Sequence, residues 1–290
     1  MDPVKPMGGQ EHLLAGSVQA WCLAFVTSTE SKDKLRPTPP PDPERPEHWL
    51  EDLEPIRLAA PGRPAEWTLV QRSPKTPGRG AMVHAHQRAH LMHTLAHHEL
   101  QAAELFAWAI LAFPETPWTF RRGLLRLMLE ELGHMALYCG HMQSLGTAFG
   151  DHPVRDWFWS RAQQCRTPLE FVSFLGLGLE GANLEHTQRF AEWLEAAGDS
   201  AGAKLLVRVE RDEVAHVDFA RRWYETFAGR PLEFADWRTH LPGPLSPGVF
   251  RGLPLNRAAR RAAGLPETFL HELEQVAPAH RPRPQGHEAQ

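Results

Sequence analysis

The chain has 290 residues, of which 42% are hydrophobic, and this is enough apolar material to bury a sizeable core. Lys and Arg total 31 against 35 Asp and Glu, so the net charge of −4 does not favour a nucleic-acid-binding protein. The longest nearly apolar stretch, residues 102–113, is too short to cross a bilayer. The three widely spaced cysteines argue against a disulfide framework and a thiolate zinc site, and they favour a reducing cytoplasm: Cys22, Cys139 and Cys165.

Proline interrupts helices, and its distribution divides the sequence into three parts. Residues 1–80 contain several Pro-rich runs and are predicted to form an extended arm that packs on the rest of the chain. Residues 81–229 have little internal proline and are predicted to form a helical bundle. Residues 230–290 are again rich in Pro, Gly and Arg, which predicts short helices followed by a polar tail that is disordered after Ala279.

Apolar residues recur at helical spacing in four long segments, at about residues 84–112, 118–146, 168–197 and 200–228. On a helical wheel, the most apolar face of each predicted helix also carries one glutamate. An ionised carboxylate in an apolar core costs several kcal/mol unless a cation or a hydrogen-bond partner compensates it. Four converging carboxylates therefore indicate a bound positive charge. The four glutamates are Glu99, Glu131, Glu180 and Glu213.

Two of the predicted helices carry a glutamate followed at the third position by a histidine, Glu131-Leu-Gly-His134 and Glu213-Val-Ala-His216. This spacing places carboxylate and imidazole side by side on one helix face. The preceding glutamate lies 32 residues before Glu131 and 33 residues before Glu213, which predicts two equivalent helical hairpins. Ferritin-like di-iron and di-manganese carboxylate proteins use this ligand set. The sequence therefore predicts an all-α, ferritin-like four-helix bundle with two metal ions.

Four segments carry a family resemblance: LAHHELQAAEL (95–105), EELGHM (130–135), VERDEVAHVDFARRW (209–223) and LNRAARRAAGLPETFL (255–270). They resemble an uncharacterised bacterial ferritin-like family that is described only as a domain of unknown function. The resemblance covers most of the chain from about residue 81 onward and implies the same fold and metal ligands. More distantly, the arrangement is similar to a tRNA-modifying di-iron hydroxylase and to the small subunit of ribonucleotide reductase.

The resemblance implies a role for each of the six ligands. It implies that Glu131 and Glu213 bridge the two metal ions. The remaining ligands divide between the two ions, Glu99 with His134 at one and Glu180 with His216 at the other.

Carboxylates and imidazoles together suit iron or manganese, so we expect two Fe ions, or an Mn/Fe or Mn pair, as the cofactor. A pair of irons can deliver two electrons to dioxygen and so form an oxidant that attacks a C–H bond. The sequence therefore predicts an oxidoreductase that hydroxylates or oxidises a small molecule or a modified nucleoside, with an external electron donor, as a monomer or homodimer. A ferroxidase or other iron-handling protein is one alternative. A metal-stabilised binding module without turnover is another.

Two further residues lie near the predicted ligands. Tyr138 is one turn after His134 on the same face, where its placement is similar to that of the radical tyrosine of the reductase small subunit. We consider Tyr138 either a redox residue or a packing residue. Glu210 precedes Glu213 by three positions, where an apolar residue is more usual, and could compete as a ligand.

Two clusters outside the predicted site are open to two interpretations each. A histidine stripe on the first long helix faces away from Glu99 and is either a second metal site or a packed or solvated surface. An arginine cluster near the C-terminus either contacts RNA or a phosphate, or belongs to an exposed solubilising helix. The stripe consists of His86, His90, His93 and His97, and the cluster of Arg257, Arg260 and Arg261.

Overall fold

The computed structural model describes residues 16–72 and 75–277, so the polar tail predicted after Ala279 lies outside the described residues. Within these ranges all regular secondary structure is helical and no β-strand is present. An isolated β-bridge joins Leu69 and Val154. The chain is thus all-α over the described ranges, as the helical spacing of its apolar residues predicts. None of the described helices has the length and apolar character needed to cross a membrane.

The region predicted to be an extended arm contains two helices, α1 (Val18–Thr27) and α2 (Ser31–Leu35). Residues 18–27 contain no proline, and the Ser17 side chain accepts a backbone hydrogen bond in the first turn of α1. Both features favour a helix at this point. Much of the remaining region is irregular, apart from two short 3-10 turns at Pro46–His48 and Arg79–Val83.

Four long helical segments follow, with a short helix between the second and the third. Each long segment begins and ends within two residues of its predicted limits. The third segment changes from α to π geometry and back again. In chain order the elements are α3 (Ala85–Ala112), α4 (Trp118–Ser144), α5 (Trp157–Ala162), α6 (Pro168–Phe171), a π-helical stretch (Val172–Glu180), α7 (Gly181–Ala196) and α8 (Ser200–Ala228).

Local sequence signals explain several of these limits. Thr167 and Glu170 form a capping box around the first turn of α6, and Pro168 occupies the first helical position. The Asp199 side chain accepts a hydrogen bond from the backbone N–H of Gly202 at the start of α8. At the end of α8, Gly229 has a φ of 66°, a left-handed conformation that glycine adopts without steric cost.

The long segments pack as two neighbouring pairs. α3 lies along α4, and α7 with the π-helical stretch lies along α8, while α4 also contacts α8. α1 packs on the outside of α3. Because the apolar faces of the four segments meet, a single hydrophobic core runs between them and extends under the N-terminal and C-terminal regions.

The C-terminal region contains the short helices α9 (Phe234–Trp237), α10 (Arg257–Ala262) and α11 (Glu267–Gln275). The prediction of an exposed arginine cluster is wrong for Arg260, which is fully buried. Its Nε donates to Glu185 Oε1 over 2.7 Å, and its Nη2 donates to Glu185 Oε2 over 2.8 Å. This buried carboxylate on α7 holds Arg260 inward, so α10 docks on the long helices.

Candidate metal centre

The four glutamates predicted from the helical wheel all lie in the protein interior. Their residues expose between 0% and 4% of their surface. Together with two buried histidines they form two groups, and within each group one ligand atom from every residue lies within 4.8 Å of the others. The first group is Glu99, Glu131, His134 and Glu213, and the second is Glu131, Glu180, Glu213 and His216.

Glu131 and Glu213 belong to both groups and lie between the two histidines. His216 Nδ1 is 2.8 Å from Glu131 Oε1 and 3.2 Å from Glu213 Oε2. His134 Nδ1 is 3.2 Å from Glu131 Oε2 and 3.9 Å from Glu213 Oε1. Each histidine therefore turns its Nδ1 atom toward both shared glutamates.

Three atoms at the centre of this arrangement are buried and have no hydrogen-bond partner in the described part of the chain: Glu131 Oε1, Glu213 Oε2 and His216 Nδ1. Glu131 Oε1 and His216 Nδ1 are close enough for an ion pair, but their angles do not satisfy a hydrogen bond. Buried polar atoms without partners are rare in folded proteins. Lone pairs that converge on one region are the geometry that a metal ion requires, so these residues could bind a metal ion.

The outer nitrogen of each histidine contacts a second carboxylate. His216 Nε2 donates to Glu130 Oε2 over 2.8 Å, and His134 Nε2 donates to Asp212 Oδ2 over 3.2 Å. In a neutral ring such an outer hydrogen bond holds the remaining proton on Nε2, so Nδ1 is the nitrogen that can bind a metal ion once its own proton has left. Neither carboxylate was predicted from the sequence, although each directly precedes one of the two Glu-x-x-His motifs and contacts the histidine of the other.

The pKa values of the Glu99 and Glu180 carboxyl groups are raised well above the usual range, and burial is the largest cause. The neighbouring charges of Glu131 and Glu213 raise both pKa values further. Both shifts favour the protonated carboxyl groups in the absence of a cation. Because a metal ion must expel these protons, we expect its binding to tighten as the pH rises.

The pKa values of the two histidines are also raised, but here negative charges act against burial. Burial alone would lower the pKa of His134, but the hydrogen bond to Glu131 and the charges of Glu131 and Glu213 outweigh burial and raise the pKa to about 9. At His216 the same two charges also outweigh burial and raise the pKa well above the usual value. The centre thus attracts positive charge, which a metal ion supplies more compactly than two imidazolium rings.

The structure places the other candidate residues as follows. Tyr138 is fully buried, and its hydroxyl has no hydrogen-bond partner among the described residues. Burial and the charge of Glu99 raise the pKa of Tyr138 well above the usual value.

Glu210 lies outside both metal-binding groups. Its carboxylate instead accepts a hydrogen bond from Asn256 Nδ2 over 2.8 Å.

The histidine stripe on α3 does not form a metal-binding group among the described residues. His86 is exposed, and the rings of His90 and His93 pack against His152. His97 is buried, and its Nε2 atom lies 3.3 Å from the backbone carbonyl of Arg155. The stripe is therefore a packed surface over most of its length.

Fold and site together define an all-helical protein in which buried glutamate and histidine clusters could bind metal ions. The chain belongs to the family described as "Protein of unknown function (DUF455)", whose model matches residues 25–271. The chain is also similar to an "Uncharacterized protein" from Haemophilus influenzae (strain ATCC 51907 / DSM 11121 / KW20 / Rd), with 27% identity over 197 residues. This match covers 64% of the present chain and 68% of that protein. No solved structure shows a significant match.

Proposed function

We propose that the four long helical segments form a ferritin-like bundle that holds two iron ions, and that the protein is a dioxygen-dependent oxidoreductase. The observation that supports this proposal is the pair of four-residue groups that share Glu131 and Glu213. A Glu-x-x-His pair on each of two helices and one glutamate on each of the other two is the ligand set of di-metal carboxylate proteins. Mixed carboxylate and imidazole donors suit iron, with manganese as the alternative metal.

Charge balance favours two ions over one. The four buried glutamates carry four negative charges when they are all ionised, and two divalent cations neutralise them fully. A single ion would neutralise only two of these charges, so two protons would have to stay on the carboxyl groups or on the histidine rings in place of a second ion. Glu131 and Glu213 would then help to hold both ions, because they belong to both groups.

A reduced di-iron centre supplies electrons to dioxygen and so gives access to C–H oxidation. The surrounding residues orient the ligands and exclude water. Glu130 and Asp212 hold the histidine rings through their outer nitrogens. A void of only about 10 Å³ is lined by His216, and its walls include Phe106, Phe171 and Phe219. We keep Tyr138 as a proposed redox residue, because its unpartnered hydroxyl is buried near Glu99.

Metal analysis tests this proposal directly. Protein purified without chelators and without a His tag is expected to contain about two iron ions per chain. Its optical spectrum should change on anaerobic reduction and again on exposure to air. Glu131→Ala and Glu213→Ala should each abolish metal binding. Glu210→Ala is the matched control on α8, because Glu210 bonds to Asn256 outside the centre and its loss should leave the metal content unchanged.

Metal-free wild-type protein, or a Glu131→Ala variant with full metal content, would overturn the proposal. A large iron-filled assembly on size-exclusion chromatography would instead support the iron-handling alternative. Bound metal without dioxygen consumption by the reduced protein would support the binding module.

A further inference from the structure

A cavity of about 190 Å³ lies against one side of the candidate metal centre. Its lining includes Glu99 and Glu180, but no other member of the two metal-binding groups. The histidines and the shared glutamates therefore lie away from this space. The side formed by Glu99 and Glu180 is where an organic molecule can approach the centre.

The walls of this inner cavity are largely apolar and partly aromatic. They include Trp157, Phe158 and Leu179, and the ring of His98 lies 4.9 Å from that of Phe158. The cavity is slightly larger than an engineered apolar cavity of about 150 Å³ that binds benzene. One six-membered ring therefore fits the inner cavity, and aromatic walls favour a planar ring through stacked or edge contacts.

The charges along the inner cavity restrict its occupant further. No lysine or arginine lines it. An anionic group would lose its hydration there without gaining a lysine or arginine partner, and the four carboxylates of the centre already neutralise two divalent ions, so this desolvation is unfavourable. The occupant is therefore expected to be uncharged where it meets the centre.

A second cavity, of about 520 Å³, meets the first at His98 and His186, which line both. Its walls include Leu91, Phe190 and Trp193. The two cavities are therefore neighbours. Together the two spaces reach the size range of typical small-molecule sites.

We propose that the inner cavity binds an uncharged aromatic ring and that the substrate of the metal centre presents such a ring to Glu99 and Glu180. The choice of substrate rests on the proposed function, whereas ring binding by the cavity does not. The two can therefore fail separately.

Benzene and benzenesulfonate are a matched pair of probes, since they share the ring and differ in charge. Saturable binding is measured by ligand-observed NMR on protein whose metal content has been determined on the same sample. The wild type is expected to bind benzene in the millimolar range and to bind benzenesulfonate at least about tenfold more weakly.

Two substitutions fill the inner cavity from different elements, Ala102→Phe on α3 and Val249→Phe on the 3-10 turn Pro247–Val249. Each is expected to weaken benzene binding at least about tenfold, because the new ring occupies the space. The control, Ala85→Phe, places the same ring at an exposed position of α3 and should bind like the wild type. If Ala102→Phe fails to fold, as judged by circular dichroism, Val249→Phe decides the test.

Absence of saturable benzene binding by the wild type, or wild-type affinity in a folded Val249→Phe variant, would overturn the cavity proposal. If metal-free wild-type protein binds benzene and the cavity-filling variants do not, the cavity proposal is supported and the proposed function is contradicted. If the protein contains two irons but does not bind benzene, the proposed function is retained and the aromatic ring as its substrate is contradicted.

Discussion

At the scale of single residues, the two histidines of the centre each face carboxylates with both ring nitrogens. Nδ1 faces the shared glutamates, and Nε2 donates to a carboxylate from the other Glu-x-x-His helix. These outer carboxylates, Glu130 and Asp212, expose 42% and 43% of their side chains. They can therefore be removed without opening a cavity in the core. An outer hydrogen bond of this kind fixes the ring orientation and raises the basicity of the ligand nitrogen.

Truncation of either outer carboxylate should weaken metal binding while the ligands stay in place. We expect Glu130→Ala and Asp212→Ala each to lower metal affinity by about 10-fold to 100-fold. Competition with a chelator of known affinity measures the loss. Glu192→Ala, at an exposed position of α7, is the control and should match the wild type. Wild-type affinity in both outer variants would mean that these carboxylates do not hold the histidine rings.

At the scale of helices, the π-helical stretch places Glu180 at its C-terminal end. Two of its residues are glycines that touch neighbouring elements. A Cβ atom at Gly176 would lie 2.3 Å from the Cβ of Ala220 on α8, and one at Gly178 would lie 2.9 Å from the ring of Phe250. These glycines therefore permit both the close approach of α8 and the docking of the C-terminal region.

A side chain at Gly176 should push α8 away from the π-helical stretch. We expect Gly176→Val to lower the free energy of unfolding by about 1–3 kcal/mol, the usual cost of overpacking. Gly140→Ala on α4 is the matched control, because no atom lies within 4 Å of the added Cβ atom. That change should raise stability by up to about 1 kcal/mol. Urea unfolding midpoints compare the two, and an unaltered midpoint for Gly176→Val would contradict the close packing.

At the scale of the whole molecule, buried ion pairs connect the N-terminal region to the long helices. Glu104 on α3 is fully buried and accepts hydrogen bonds from Lys34 of α2 over 2.8 Å and from Arg63 over 2.6 Å. Burial would raise the pKa of Glu104, but the charges of Arg63 and Lys34 and their hydrogen bonds outweigh burial and lower it. Asp156, next to α5, also accepts from Arg63, so three parts of the chain meet at this network.

Loss of the central carboxylate would leave two buried cations without their shared partner. We expect Glu104→Ala to lower the free energy of unfolding by about 3–5 kcal/mol. Glu44→Ala removes an exposed partner of Arg122 and should cost less than about 1 kcal/mol. Thermal and urea unfolding of both variants measures the difference. Equal stability of the two variants would show that the network does not anchor the N-terminal region.

The long helices could be predicted from the sequence, because helical periodicity and capping depend on neighbouring residues. The same local rule places Glu99, Glu131, Glu180 and Glu213 on apolar faces, and the structure brings them together. The prediction that both metal ions are iron stays untested. Glu130 and Asp212 each directly precede one of these glutamates. One residue corresponds to a rotation of about 100° around the helix, so neither side chain lies on the apolar face of its own helix and the helical wheel does not indicate it.

Only the tertiary structure decided which side chains meet across helices. Arg260 lies 75 residues from Glu185, and Lys34 lies 70 residues from Glu104, so no local pattern pairs them. The cavity beside Glu99 and the π geometry before Glu180 likewise depend on how closely neighbouring elements approach. Sequence periodicity determines which face of a helix is buried, whereas the packing of whole helices against one another determines what that face meets.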